Sequence, residues 1–236
     1  GSFQTTRESL MNWRERPDWR VYLVTDRELC LGRPLEDVVL RAVAGGATMV
    51  QLREKEASSR DFLALTRLLV RELHGRGVPL VVNDRADIAL AGGAAGLHVG
   101  QSDLPPADAR ALMGPDALIG LSVENMAQLE AAQTWDVDYL GISPVWATPT
   151  KTDTAEPWGL DGLAEAGKRS RLPLVAIGGI HAGNAAEVIA AGADGLAVVS
   201  EICSAPDPEA AARFLRGLFR NIPPFRPSAA SPHGRE

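Results

Sequence analysis

Two hydrophobic rhythms alternate along the chain from residue 20 to residue 220. Short, near-continuous apolar runs lie at 21–25, 48–52, 80–83, 96–99, 118–121, 139–142, 174–177 and 195–199. A run that is apolar at every position suits a parallel strand covered on both faces. Between the runs, apolar residues recur at helical spacing. Phe62, Leu65, Leu69 and Leu73 mark one inner stripe, with Ser58 or Ser59 placed to cap its start. Gly75 and Gly77 are placed to end that helix, and Pro79 leads into the next run. Residues 184–191 repeat the logic and stop at Gly192. Eight such alternations over about 200 residues predict one closed α/β barrel, a (β/α)8 TIM barrel. The competing architecture, an open doubly wound sheet, calls for a Gly-rich dinucleotide turn after the first strand. This chain has Val24-Thr25-Asp26-Arg27 there.

The ends depart from this pattern. Residues 1–19 are polar and weakly patterned, an expected N-terminal extension whose Gly1-Ser2 reads as a tag remnant. Residues 20–221 form the barrel, and 222–236, rich in Pro and Ser, an expected flexible tail. Formal charge is −6 and aromatic residues are 5%, with no basic patch, which argues against nucleic acid as a partner. An anionic small molecule would then need a locally basic site. The two cysteines, Cys30 and Cys203, are too few for a disulfide framework or a Cys-rich zinc site. With no apolar run of spanning length and no signal-peptide pattern, a cytoplasmic protein without a membrane partner is expected. Oligomeric state stays open, a homo-oligomer included.

Candidate chemistry lies where the predicted strands end, the rim on which α/β barrels build their sites. Strand two ends in Gln51-Leu52-Arg53-Glu54-Lys55, strand three in Asn83-Asp84-Arg85, and strand four runs through His98 to Asp103. Ser122 closes strand five, 148–151 (Thr-Pro-Thr-Lys) follow strand six, Gly178-Gly179 follow strand seven, and Val199-Ser200 end strand eight. Seven polar endings on one rim are hard to explain by stability alone. The spacing of Gln51, Arg53 and Lys55 aims three polar groups to one side, a fork of donors for phosphate oxygens; the plainer reading is a solvated strand end paired with Glu54. Asp84 and Asp103, at adjacent strand ends, offer hard carboxylate oxygens that suit Mg²⁺ completed by a diphosphate. Alternatively, Asp84 makes an Asx turn or caps the helix that follows, and Asp103 caps the helix ahead of Pro105-Pro106. Gly178-Gly179 ahead of a helix near Asn184 make a second candidate phosphate cradle with Ser200, or a tight turn needing positive φ. Thr148, Thr150 and Lys151 sit in a long Pro-flanked loop of the kind that forms lids. His98 reads as a supporting rather than a reacting group, and Trp146 and Trp158 as packing.

These motifs occur in one order: VYLVTD (21–26), QLREK (51–55), NDR (83–85), GLHVGQSD (96–103), GLS (120–122), DYLGISPVWATPTKTD (138–153), AIGGI (176–180) and AGADGLAVVS (191–200). Together they resemble the thiamine-phosphate synthase family across residues 20–220. The resemblance implies a transferase that joins hydroxymethylpyrimidine diphosphate to a thiazole phosphate, releasing diphosphate and thiamine monophosphate. It implies that Gln51, Arg53, Lys55, Asn83, Ser122 and Lys151 contact the pyrimidine diphosphate, with Leu52 and Glu54 among the substrate-binding residues, and that Asp84 and Asp103 hold Mg²⁺. It gives Thr148, Thr150, Gly179, Val199 and Ser200 to the thiazole phosphate, and catalytic duty to Arg53, Lys55, Ser122 and Lys151. Ser143 and Trp146-Ala147 depart from the family's usual residues beside the lid. A thiazole tautomerase-like isomerase on the same barrel would carry a His just after the strand-five Ser, where this chain has Val123-Glu124. A non-catalytic phosphate-ligand sensor has no use for the full set of charged groups. An aldolase or phosphosugar isomerase needs a strand-end Schiff-base Lys or a Glu/His base pair, which is not found.

Overall fold

A computed structural model describes residues 12–148 and 156–225. Its eight parallel strands close into a barrel in chain order. They are β1 Val21–Val24, β2 Met49–Leu52, β3 Leu80–Asn83, β4 Gly96–Val99, β5 Leu118–Val123, β6 Tyr139–Ile142, β7 Leu174–Ile177 and β8 Gly195–Val198. Leu23 opposite Val198 seals the last strand to the first. The helices outside are α1 Leu35–Gly45, α2 Ser59–His74, α3 Ala86–Gly92, α4 Pro106–Met113, α5 Met126–Ala132, α6 Gly159–Arg169, α7 Ala185–Ala190, α8 Ser200–Cys203 and α9 Pro208–Gly217.

The strands read as unbroken apolar runs because they feed two cores. Val21 and Leu23 pack outward against the helices, while Tyr22 and Val24 fill the barrel interior. The same alternation sends Leu97 and Val99 outward and turns His98 in. Local signals hold as well. Ser58 Oγ accepts the Asp61 N–H at 3.1 Å and so caps α2. That helix ends at Gly75 in an ordinary right-handed conformation, and Gly77, at φ +69°, supplies the reversal.

The N-terminal end of the barrel is stoppered. Trp19, buried beneath the strands, packs at a tilt on Tyr139 with ring centroids 4.7 Å apart. Arg14 Nε and Nη2 donate to Asp138 and Asp136 at 2.7 and 2.8 Å. The described part of the N-terminal extension, from Asn12 on, therefore lies against the barrel's closed end, opposite the rim where the polar residues gather. Two aspartates tie neighbouring strands from below: Asp138 Oδ2 accepts the Ile119 N–H at 2.7 Å, and Asp194 Oδ2 the Leu174 N–H at 2.8 Å. Among the described residues no helix is long and apolar enough to cross a membrane.

Candidate active site

The strand ends converge on one mouth. Alternation along β2 decides what each residue of the Gln51–Lys55 stretch offers. Gln51 is buried inside the barrel, Leu52 is buried among the helix-facing core, and Arg53 returns to the mouth, half-buried. Leu52 thus has only its backbone to give a ligand. The Arg53 N–H is held by Thr25 Oγ1 at 3.1 Å, and Thr25 N–H by the Gln51 carbonyl at 3.0 Å, which pins β1 to β2 at the rim. The Arg53 guanidinium makes no hydrogen bond or ion pair among the described residues. Desolvation pulls its pKa below the ordinary value, and the nearby Asp26 charge offsets this only in part. A cation held out of water without a partner is a standing site for an anion.

Lys55 stands exposed beside it, whereas Glu54 is otherwise engaged. Its carboxylate is 4% exposed and pairs with Arg27 Nη2 at 3.0 Å. Thr25, Asp26, Arg27, Arg53, Glu54 and Lys55 belong to the wall of one cavity of about 640 Å³.

Asp84 follows β3 at φ +65°, a left-handed conformation rare outside glycine, and its N–H bonds the His98 carbonyl at 2.8 Å. That turn points the end of β3 toward the end of β4. Asp103 does not cap α4: its Oδ2 accepts the Gly100 N–H at 2.7 Å, and Pro105 holds the capping position. The Asp103 carboxyl is near enough to act on the ionisation of Asp84. Asp84 is raised above the usual carboxylate range, first by desolvation and next by Asp103. Asn83 lies partly buried on the same rim.

Inside the mouth, Ser122 ends a chain of polar contacts. Its Oγ is 2.8 Å from His98 Nε2, and His98 Nδ1 is 2.8 Å from the Tyr139 hydroxyl. Tyr139 bonds Tyr22, whose hydroxyl accepts from Gln51 Nε2 at 2.9 Å. His98 therefore lies inside the barrel beneath the strand ends, with Ser122 on one ring nitrogen and Tyr139 on the other. Neither tyrosine stood out in the sequence, because a Tyr within an aliphatic strand looks like core.

The opposite wall is built on glycines. Gly178 and Gly179 have φ +106° and +70°. A Cβ on Gly178 would come 2.8 Å from Pro144 Cβ, and one on Gly179 would come 3.2 Å from Trp146 Cβ and 3.8 Å from Thr148 Cγ2. Both glycines thus let the loops after β6 and β7 close on each other, with Val145 N–H bonding the Ile177 carbonyl at 2.8 Å. Asn184 Nδ2 holds the Gly179 carbonyl at 2.8 Å, and Glu201 Oε1 accepts the Ala182 N–H at 3.1 Å. That second bond ties this loop to α8, which Val199 caps and Ser200 opens. Thr150 and Lys151 lie outside the described residues.

An eight-stranded barrel with two neighbouring carboxyls, a glycine-built loop and, among the described residues, an unpaired guanidinium at its C-terminal rim is the architecture of an α/β-barrel enzyme. Comparison with known proteins narrows that class. A family model described as thiamine monophosphate synthase matches residues 21–202. The thiamine-phosphate synthase of Albidiferax ferrireducens is 57% identical over 200 residues, 85% of this chain and 91% of its own. That of Vibrio campbellii is 49% identical, covering 86% and 98%. Among solved structures, thiamine phosphate pyrophosphorylase from Pyrococcus furiosus superposes with a TM-score of 0.79 at 34% identity, over 86% of this chain and 96% of that one. A 3-hexulose-6-phosphate synthase, at 18% identity and a TM-score of 0.62, shares the fold alone. The chain belongs to the thiamine-phosphate synthase family, and it is a transferase.

Proposed function

We propose that this chain couples 4-amino-2-methyl-5-hydroxymethylpyrimidine diphosphate with thiazole phosphate, giving thiamine monophosphate and diphosphate with the help of Mg²⁺. The observation that carries this reading is the desolvated, unpartnered Arg53 guanidinium on the same rim as the adjoining Asp84 and Asp103 carboxyls. An Arg in that state favours a polyanion, and a carboxylate pair favours a hard cation to bridge it to one. The donor set fits Mg²⁺: Asp84 and Asp103 offer only carboxylate oxygens, and each ionises more easily with a cation between them. When bound, the metal supplies positive charge to the diphosphate oxygens.

The chain's own groups divide the remaining work. Arg53, Lys55 and, by family resemblance, Lys151 bind the diphosphate and stabilise the charge it gains as the CH₂–O bond breaks and the electron pair leaves with it. Gln51, Asn83 and Ser122 orient the pyrimidine, whose amino-substituted ring shares the positive charge left on the CH₂. Gly179, Thr148, Thr150, Val199 and Ser200 hold the second phosphate. The thiazole nitrogen then faces that carbon at close range and forms the C–N bond with its lone pair. Diphosphate carries away the negative charge, so no further base is needed and His98 stays out of the bond changes.

Diphosphate release, followed with both substrates and Mg²⁺, tests the reading. Release is expected only when all three are present. Asp84→Ala and Asp103→Ala should each slow it on the order of 100-fold or more, since several kcal/mol of charge stabilisation goes with the metal. Isomerisation of a thiazole carboxylate without diphosphate release would favour the tautomerase reading, and ligand binding with no turnover the sensor reading. Wild-type rates in either Asp variant at limiting Mg²⁺ would refute the metal assignment.

A further inference from the structure

The polar chain beneath the mouth has a direction, and the direction follows from counting hydrogens. Gln51 meets the Tyr22 hydroxyl with its amide nitrogen, which donates and cannot accept. Tyr22 therefore accepts there and has one hydrogen left. Tyr22 and Tyr139 are both wholly buried, and among the described residues their hydroxyls meet, beyond Gln51, each other and His98 Nδ1. Were Tyr139 to donate to Tyr22, the Tyr22 hydrogen would face the interior with no acceptor, a penalty of roughly 10-fold or more in population. The satisfied arrangement has Tyr22 donating to Tyr139 and Tyr139 donating to His98 Nδ1. His98 Nδ1 is then an acceptor, so the neutral ring carries its proton on Nε2 and donates to Ser122 Oγ, 2.8 Å away.

We propose that Tyr22, Tyr139 and His98 are positioning residues: they form a one-way relay of hydrogen bonds from Gln51 that leaves the Ser122 hydroxyl hydrogen free to be donated to the ligand in the mouth. In the opposite polarity Ser122 would spend its hydrogen on His98 and could only accept. The relay thus selects the ligand atom facing Ser122, which must be an acceptor without a hydrogen, such as a pyridine-type ring nitrogen. This last step rests on the pyrimidine substrate proposed above; the polarity itself does not.

The barrel makes room for the relay. A Cβ on Gly120 would run into the Tyr139 ring, so a glycine in β5 is what admits the tyrosine hydroxyl to the barrel axis. A Cβ on Gly141 would touch His98 Cε1 and Ser122 Oγ at ordinary contact distances, 3.5 and 3.6 Å, and press on Ile177 Cδ1 at 3.1 Å. Strand register brings these groups to one level: His98 is opposite Gly120, and Ser122 opposite Gly141.

The test is the tautomer of His98, read from ring nitrogen and carbon NMR shifts of the full, ligand-free chain with labelled histidine, the signal assigned by its loss in His98→Asn. The neutral Nε2–H form is expected. A neutral Nδ1–H form overturns the relay. A second arm uses kinetics. Tyr139→Phe removes the donor to Nδ1, so the KM for the pyrimidine diphosphate should rise about 10-fold while the KM for thiazole phosphate holds, the loss expected of one hydrogen bond. Equal rises in both, or none, count against the relay. Should Tyr139→Phe not fold, the wild-type tautomer decides alone. An Nε2–H ring in a chain that joins no substrates would leave the relay standing and fell the proposed reaction; an Nδ1–H ring in an active chain would do the reverse.

Discussion

At the scale of single residues, Asp138 and Asp194 show how surroundings and not residue type set the cost of a charge. Each accepts a backbone N–H from a neighbouring strand at the closed end of the barrel. Asp138 also meets Arg14 and Arg110, at 2.7 and 2.9 Å. Asp194 has no cation within ion-pair distance among the described residues. Burial pushes its carboxyl up from 3.8 to about 6, and the Leu174 N–H only partly opposes this. A raised folded-state pKa means the folded chain holds the proton after the unfolded chain has lost it. Stability therefore falls as pH rises from the unfolded value near 4 to the folded value near 6, and stays lower above that window. Asp194→Asn keeps an acceptor for Leu174 and removes the charge. It should stabilise the chain by about 1–3 kcal/mol at pH 8 and by little at pH 4, measured by denaturant unfolding at the two values. An equal gain at both would mean the charge is not the cause.

At the scale of elements, the loops after β6 and β7 behave as one unit. Val145 extends the pairing of the two strands, Gly178 admits Pro144 where a Cβ would collide at 2.8 Å, and Gly179 gives Trp146 Cβ room that a side chain would tighten to 3.2 Å. Gly179 also has a positive φ that a branched residue resists, so its replacement strains the turn as well as filling it. Gly179→Val should weaken thiazole-phosphate binding by about 10-fold or more, through strain of roughly 1–3 kcal/mol, and pyrimidine-diphosphate binding by less. Calorimetric titration of each ligand checks the ranking, and the opposite order would overturn the division of the mouth into two halves.

At the scale of the whole molecule, what could be read in advance was what repeats locally. Eight apolar runs and the polar residues that end them needed no long-range knowledge, because burial on both faces and rim placement follow from strand geometry alone. The left-handed turn at Asp84 and the Ser58 cap concern a few neighbouring residues, yet only the cap had a sequence signature. Long-range matters were hidden. Nothing near Arg14 foretells that it reaches Asp138, 124 positions away, and makes the end of an apparent extension part of the barrel's base. Nor does the run Val21–Val24 reveal that its tyrosine belongs to a relay assembled from four other strands, as the partners Gln51, Tyr139, His98 and Ser122 are fixed only by closure. Glu54, grouped with its neighbours by sequence, turns out to be committed to Arg27, whereas Arg53 beside it makes no hydrogen bond or ion pair among the described residues.

The account depends on a polyanion being held at one mouth by Arg53 and by a cation on Asp84 and Asp103. Its most direct check is the binding of inorganic diphosphate to the full chain, measured calorimetrically with Mg²⁺ and with chelator, for the wild type and for an Asp84→Asn/Asp103→Asn double variant. Binding that requires Mg²⁺ in the wild type and loses at least about 10-fold in affinity in the variant is the predicted result. Binding of equal strength in chelator, or undiminished in the double variant, would contradict it.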